Sequence, residues 1–341
     1  MENIEHLSTF YKRRGFSGRL SGGYKFLEKN LQTILRVGSF ILIPYAVILA
    51  FAMTWLMDIV QQMEATADVT ALMASPGVLA DFYSSLALRL LVCGVVALLG
   101  TCCWKALVFG IFRKYVDLGY VPSMKLGSWW SWMQRDVWRY FLYALFILFF
   151  WLIVAAIFYM LITLTPWLGL LLIPVLLYCG VIFKLFPYYY MLKRESLWDA
   201  FLHAFRKGTP NWGSTFAIVV LAGIITGVFC FICSLPTSIT WLVDGMVARG
   251  NVDGVAADLP GYYVGLKVAF WAISLYASAL ATLLTDAPML FQYGTLMSGE
   301  KEKMLADARA EQERLKVERM RQAVEQEREA ARRDGSAYRP W

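Results

Sequence analysis

Trp138-Arg-Tyr-Phe-Leu-Tyr-Ala-Leu-Phe-Ile-Leu-Phe-Phe-Trp-Leu-Ile-Val-Ala-Ala-Ile-Phe-Tyr-Met-Leu-Ile-Thr-Leu164 is the stretch that decides the fold. It exceeds the about 20 mostly apolar residues that carry an α-helix through the hydrocarbon core of a bilayer. A Thr165-Pro166 turn follows, and a second apolar run, Trp167 to Leu192, leads back. Working outward, Ile34 to Ile59 and Ser85 to Phe112 precede this hairpin, and Gly213 to Val243 and Val264 to Tyr293 follow it. With 59% hydrophobic residues overall, the chain reads as an all-α integral membrane protein of six transmembrane helices.

Basic residues near helix ends are retained on the cytoplasmic side, while acids contribute little. Seven Lys/Arg lie in the stretch up to Arg36, five between Arg113 and Arg139, four between Lys193 and Lys207, and eleven after Met297. The alternate connections are nearly bare. Ile59 to Ser84 and the Thr165-Pro166 turn carry none, and Asp244 to Tyr263 carries only Arg249. Both termini are therefore expected in the cytoplasm, with the protein in a bacterial inner membrane. The net charge of +7 is mostly this cytoplasmic excess, which attracts anionic lipid headgroups and does not call for nucleic acid. No signal peptide is expected, because the first apolar run is too long for one and many charges precede it. Three parts follow: residues 1–33 as an N-terminal arm with a first interfacial helix, 34–297 as the membrane domain, and 298–341 as a charged tail.

All six cysteines fall inside predicted spans, so they make no disulfide framework. Cys230-x-x-Cys233 lacks a neighbouring His or polar loop and reads as two small hydrophobes on a packed helix. Pro44, Pro174, Pro187, Pro236 and Pro288 lie in or at the ends of spans, where neighbouring helices can satisfy the freed carbonyls. Gly223-x-x-x-Gly227, and Ser274 with Ser278, permit close helix contact.

A repeat marks the cytoplasmic entrances to the odd-numbered spans. Leu20, Gly23, Tyr24 and Leu27 lead to Asn30; Leu126, Trp129, Trp130 and Met133 lead to Asp136; Phe201, Ala204, Phe205 and Gly208 lead to Asn211. The spacing is the same each time and traces one helix face. It predicts three parallel hairpin repeats, each preceded by a short interfacial amphipathic helix, a turn, and a helix start capped by Asn or Asp. Basic residues flank each copy at the expected depth of lipid phosphates.

The Glu195-Ser-Leu-Trp-Asp-Ala-Phe-Leu-His-Ala-Phe-Arg-Lys-Gly-Thr-Pro-Asn-Trp212 run, together with Phe291-Gln-Tyr-Gly-Thr-Leu-Met-Ser-Gly-Glu-Lys301, resembles a group of uncharacterised bacterial polytopic proteins. That group is similar to the membrane domain attached to some glycerophosphodiester phosphodiesterases. The resemblance spans roughly Phe16 to Lys301 and implies no catalytic residues, since phosphodiester chemistry in such fusions belongs to a separate soluble domain. The Gly-Thr-Pro-Asn-Trp pattern is present only in the third copy.

Only His6 and His203 exist, so His-rich metal and haem sites lack ligands, and neither a cofactor nor a metal is expected. The hydroxyls Ser234, Thr237, Ser238 and Thr240 have no histidine beside them and read as groups that satisfy the backbone near Pro236. A non-enzymatic protein is the expectation. Lys105, Lys184 and Asp286 stand out instead, because ionisable groups inside spans are costly and mark candidate ligand or ion-pair sites. They occupy matching places in the even-numbered spans, and the repeat would bring them to a common axis. The lysines could alternatively snorkel to the headgroups. Asp286, with a short side chain and no second internal acid in view, must pair, protonate or meet water.

From Glu300 to Arg333 there is no Gly or Pro and nineteen residues are charged. Pairs such as Lys303 with Asp307 and Arg314 with Glu318 recur at helical spacing, each worth about 0.2 to 0.5 kcal/mol. No heptad seam is kept, so a solvated cytoplasmic helix ended by Gly335 is expected. The parts combine into a lipid-contacting scaffold or regulator whose tail can engage a cytoplasmic protein. A transporter or lipid-moving protein for an anionic substrate is the alternative.

Overall fold

The computed structural model describes residues 7, 9–65, 76–122, 126–252 and 259–335, and among these there is helix and no strand. The helices are α1 (Phe16–Ala65), α2 (Pro76–Leu118), α3 (Leu126–Leu164), α4 (Pro166–Phe183), α5 (Phe186–Leu192), α6 (Leu197–Gly208), α7 (Trp212–Val252), α8 (Tyr263–Leu296) and α9 (Ser298–Gly335). Six segments are long and apolar enough to cross a membrane: Phe16–Ile59, Leu79–Leu118, Met133–Leu164, Leu172–Leu192, Leu197–Val247 and Tyr263–Leu296. Many of their large apolar side chains are exposed, including Phe149, Leu152, Ile153 and Tyr159 on α3 and Phe231 and Ile232 on α7. An apolar outer surface of that extent suits lipid rather than water. The protein is accordingly a multi-pass membrane protein.

Two compact units divide the chain, residues 14–293 and residues 1–13 with 294–341. In the larger unit α1 packs on α2 and α7, α2 on α3, α3 on α4, and α4 on α7. Helix α8 joins them through specific contacts. The Trp104 indole N–H of α2 donates to the Ala279 carbonyl at 3.0 Å, Ser39 of α1 meets Tyr276 at 2.8 Å, and Thr226 of α7 meets Thr285 at 2.9 Å. Gly23 of α1 is needed for this approach, since a Cβ there would stand 2.4 Å from the Pro288 nitrogen. Backbone rather than a flexible side chain is the obstacle, so a larger residue would push the two helices apart. At their C-terminal ends α2, α5 and α8 contribute Phe109, Phe112, Tyr188 and Tyr293 to one aromatic layer, in which Tyr188 stacks near-parallel on both Phe112 and Tyr293.

In the smaller unit, Phe10 and Tyr11 meet edge to face at 4.9 Å, and the Lys301 ammonium lies 5.7 Å from the centre of the Tyr11 ring. Gly294 faces the Phe10 ring, which a Cβ would meet at 3.0 Å. Helix α9 carries Met304, Leu315, Val317, Met320 and Val324 in exposed positions.

The interfacial helices differ from the expectation. Asn30 and Asp136 lie inside α1 and α3, so the first two copies run straight into their spans without a turn. The physical reason is local: neither segment holds a Gly or Pro where a break was expected, and a polar residue alone does not stop a helix. Asn30 instead donates its side-chain amide to the Phe26 carbonyl one turn back at 2.8 Å, and Asn211 does the same to Lys207 at 3.0 Å. Only the third copy is a separate helix, α6, and the 3₁₀ turn Thr209–Asn211 that joins it to α7 keeps right-handed helical backbone at Gly208, Thr209 and Trp212. Its cap is Ser196, whose hydroxyl accepts the Asp199 N–H at 3.2 Å and donates to the Asp199 carboxylate at 2.6 Å. The repeat face is also turned differently. Ala200, Ala204 and Gly208 are buried in protein, with Gly208 against Ile182 and Leu185, while Trp198 and Leu202 are exposed.

The fourth span is broken between α4 and α5 at Lys184-Leu185. Pro187 in the first turn of α5 lacks an N–H and its ring would clash with the carbonyl four residues back. The chain closes the gap with tighter bonds, Lys184 N–H to the Val181 carbonyl at 3.3 Å and Leu185 N–H to Ile182 at 2.9 Å.

Candidate functional site

Of the three charges singled out by sequence, two meet. The Lys105 ammonium of α2 is ion-paired with the Asp286 carboxylate of α8, their side chains only 15% and 20% exposed. Tyr188 of α5 donates its hydroxyl to the Asp286 backbone carbonyl at 2.7 Å. That carbonyl lies two residues before Pro288, within a turn that the proline deprives of an N–H. Lys184 stands apart from the pair: it caps the C-terminal end of α4 at the break and its side chain is exposed.

Asp286 is not the only internal acid, because Asp244 and Asp136 are also within helices and buried. Helix α7 runs on through Asp244, which the sequence reading assigned to a loop. There the Lys267 ammonium of α8 is 2.7 Å from Asp244 and 3.8 Å from Asp58 of α1. Lys267 and Asp244 are 7% and 6% exposed, against 50% for Asp58. The Tyr263 hydroxyl donates to the Thr240 carbonyl at 2.9 Å, and Thr237 meets Ser274 at 2.7 Å. This polar seam was present in the sequence as Thr237, Thr240 and Asp244 on one face of α7, opposite Tyr263, Lys267 and Ser274 on one face of α8. The other hydroxyls serve the backbone as expected: Ser234 donates to Phe231, Ser238 to Ser234 and Thr240 to Thr237. Arg89 is a further intramembrane cation that the sequence reading passed over. It lies 4.8 Å from the centre of the Trp55 ring and donates to the Trp55 carbonyl.

A basic cluster gathers where α2, α3 and the α5–α6 connection come together. Arg113 grips Asp136 with two hydrogen bonds, 2.7 and 3.2 Å, and Asp136 is 1% exposed. Arg139 donates to the carbonyls of Tyr190 and Glu195, both at 2.9 Å, and its guanidinium stacks over the Tyr190 ring at 4.5 Å. The connection between those carbonyls contains Arg194, whose φ of 57° is the one positive value at a non-glycine position among the described residues. Such a backbone costs an L-residue on the order of 1–3 kcal/mol and persists only where its surroundings hold it. Arg139 does so by clasping the chain on both sides. Glu195 is already engaged by Lys193 at 2.6 Å and His203 at 2.8 Å. Arg194 reaches Asp136 only at 3.6 Å and is 43% exposed. Burial lowers its pKa, and the guanidiniums of Arg113, Arg139 and Arg135 lower it further against the opposing pull of Asp136.

Among the described residues no three His, Cys, Asp or Glu side chains come together as metal ligands, and the six cysteines are unpaired thiols. No family model, no curated protein and no solved structure matches this chain.

Proposed function

We propose that this is a non-enzymatic scaffold or regulator of a bacterial inner membrane that contacts anionic lipid with its basic face. Both termini would then lie in the cytoplasm, where α9 can engage a protein partner. The observation that carries this reading is the Lys105–Asp286 pair. A carboxylate that carries a coupling proton must exchange its partner during a cycle, whereas Asp286 is held directly by an ammonium in the bundle interior. The same pattern recurs at Lys267 and Asp244, so charge inside the bundle is spent on joining helices. A parallel threefold arrangement of hairpins would bring the cytoplasmic ends of the even-numbered spans together, and it is supported by the aromatic layer there, in which Tyr188 meets Phe109, Phe112 and Tyr293. The resemblance to the membrane domain of glycerophosphodiester phosphodiesterases fits the same reading, as a membrane module without catalytic parts.

Reconstitution separates this from the lipid-moving alternative. In vesicles of phosphatidylcholine and phosphatidylglycerol with a trace of headgroup-labelled lipid, dithionite should bleach only the outer leaflet, about half of the label, with or without protein. Bleaching well beyond half, abolished by Asp286→Asn, would establish lipid movement in place of the scaffold. Orientation is tested by single cysteines in a cysteine-free background: position 251 should react with an impermeant reagent from outside intact cells. Thr70 and Ser336, the natural companions in that test, lie outside the described residues.

A further inference from the structure

We propose that Arg194, in the connection between α5 and α6, and Arg135 of the neighbouring α3 bind the phosphate of an anionic ligand at the membrane surface. This rests on the lipid-contacting reading and names its site. Six basic side chains, Arg113, Lys114, Arg135, Arg139, Lys193 and Arg194, gather around three carboxylates, Asp136, Glu195 and Asp117, with Arg139 on the Glu195 backbone carbonyl. Each carboxylate already has basic partners, Asp117 among Arg113, Lys114 and Arg194. Asp136 is held bidentately by Arg113, and Glu195 lies between Lys193 and His203. Arg194 retains one long contact of 3.6 Å, and Arg135 is exposed. Two guanidiniums in excess of the local negative charge suit a phosphate, whose oxygens accept paired N–H donors.

Backbone conformation supplies an independent argument. Position 194 is held at positive φ, where glycine or asparagine would rest without strain, yet the residue there is arginine. Arg139 keeps that conformation by clasping Tyr190 and Glu195, so the cluster itself fixes where the Arg194 side chain projects. Neighbouring surface favours a lipid as the source of the phosphate. Helix α6 starts just beyond this connection, and its outward side chains Trp198 and Leu202 are exposed at 60% and 48%. An aromatic-aliphatic face beside guanidiniums is the arrangement that seats an acyl chain below a headgroup.

The test uses the full chain in mild detergent and native mass spectrometry, with phosphatidylglycerol or phosphatidylcholine titrated in and inorganic phosphate as a third probe. The wild-type protein should favour phosphatidylglycerol over phosphatidylcholine by about tenfold or more, the equivalent of one strong charge-assisted contact. Arg135→Gln with Arg194→Gly should erase that preference while leaving the melting temperature unchanged or higher, because glycine relieves the backbone at 194. Arg194→Lys should keep part of it. Competition by millimolar inorganic phosphate would identify the phosphate group alone as the ligand, and indifference to it would identify the whole lipid. An unchanged preference in the folded double variant would overturn the site and leave general lipid contact standing. Equal binding of both lipids by the wild-type protein would overturn the site together with the anionic-headgroup reading.

Discussion

The Lys267–Asp244 seam and the Arg113–Arg194 cluster both gather charge, and they balance it differently. At the seam, Lys267 and Asp244 are almost wholly buried and answer one another, with Asp58 adding a partner on the exposed side. In the cluster a single buried carboxylate serves Arg113 closely and Arg194 loosely, and the remaining cations outnumber the acids. A balanced buried pair can hold helices together and has little left to offer a ligand, because any competing ion would have to displace a partner from a poorly solvated site. An unbalanced cluster at the surface is a poor clamp and a good receptor. Charge balance, more than charge itself, separates what this protein uses for cohesion from what it can use for recognition.

The first way to break the comparison is to unpair the seam. Lys267→Met leaves Asp244 buried without its nearest counter-ion and should cost about 4 kcal/mol of unfolding free energy, measured by titrating sodium dodecyl sulfate into protein in mild detergent. Asp286→Ala strands Lys105 in a somewhat more exposed position and should cost about 3 kcal/mol. Replacing both members, Lys105→Met with Asp286→Ala, should recover much of that loss. Additive losses in this double-mutant cycle would mean that the two side chains act independently and that the pair is not a clamp. None of these variants should alter the preference for phosphatidylglycerol.

Packing gives a smaller effect of a different kind. Gly23→Ala places a methyl against the Pro288 backbone, so α1 and α8 must separate, at a cost of about 2 kcal/mol. Gly213→Ala, where a Cβ meets nothing within 4 Å, is the matched control and should be close to neutral. A loss at residue 213 equal to that at residue 23 would show that helix flexibility, and not close approach, sets the effect.

These regions were not equally legible in the sequence. Length and hydropathy indicate six apolar helices able to cross a membrane, because that demand is met residue by residue along each run. Lys105 and Asp286 were visible as charges in the middle of apolar runs, and their pairing is the sort of solution such positions require. Asp244 was hidden by its place near the end of α7, where a charge reads as loop until the helix is known to continue, and Lys267, inside the sixth span but close to its start, carried no partner in view without it. Lys184 looked equivalent to Lys105 by spacing, but Pro187 breaks the helix beside it, and a break alters where a side chain projects. The interfacial turns failed for the opposite reason: Asn30 and Asp136 can cap a new helix start, but with no Gly or Pro beside them the helix continues through both, whereas the side-chain cap that forms is Ser196 at the start of α6. Arg194 carried no local signal, since its unusual backbone is imposed from α3 by Arg139.

The smallest effect is also the one whose sign matters most. Arg194→Gly removes a guanidinium whose ion pair with Asp136 is long, 3.6 Å, and shared with Arg113, and whose other acidic neighbour, Asp117, also has Arg113 and Lys114, so little attraction is lost. It also relieves the partial burial of that guanidinium and its repulsion by Arg113, Arg139 and Arg135. Relief of the positive φ is worth on the order of 1–3 kcal/mol, against roughly 0.5–1 kcal/mol of extra chain entropy that glycine loses on folding. The balance is a gain of about 1 kcal/mol, read in the same detergent titration. A stabilised variant with weakened binding of anionic lipid would place Arg194 among residues kept at a cost to stability for the sake of a ligand. A destabilised one would instead make its contact with Asp136 part of the clamp and remove the distinction between cluster and seam.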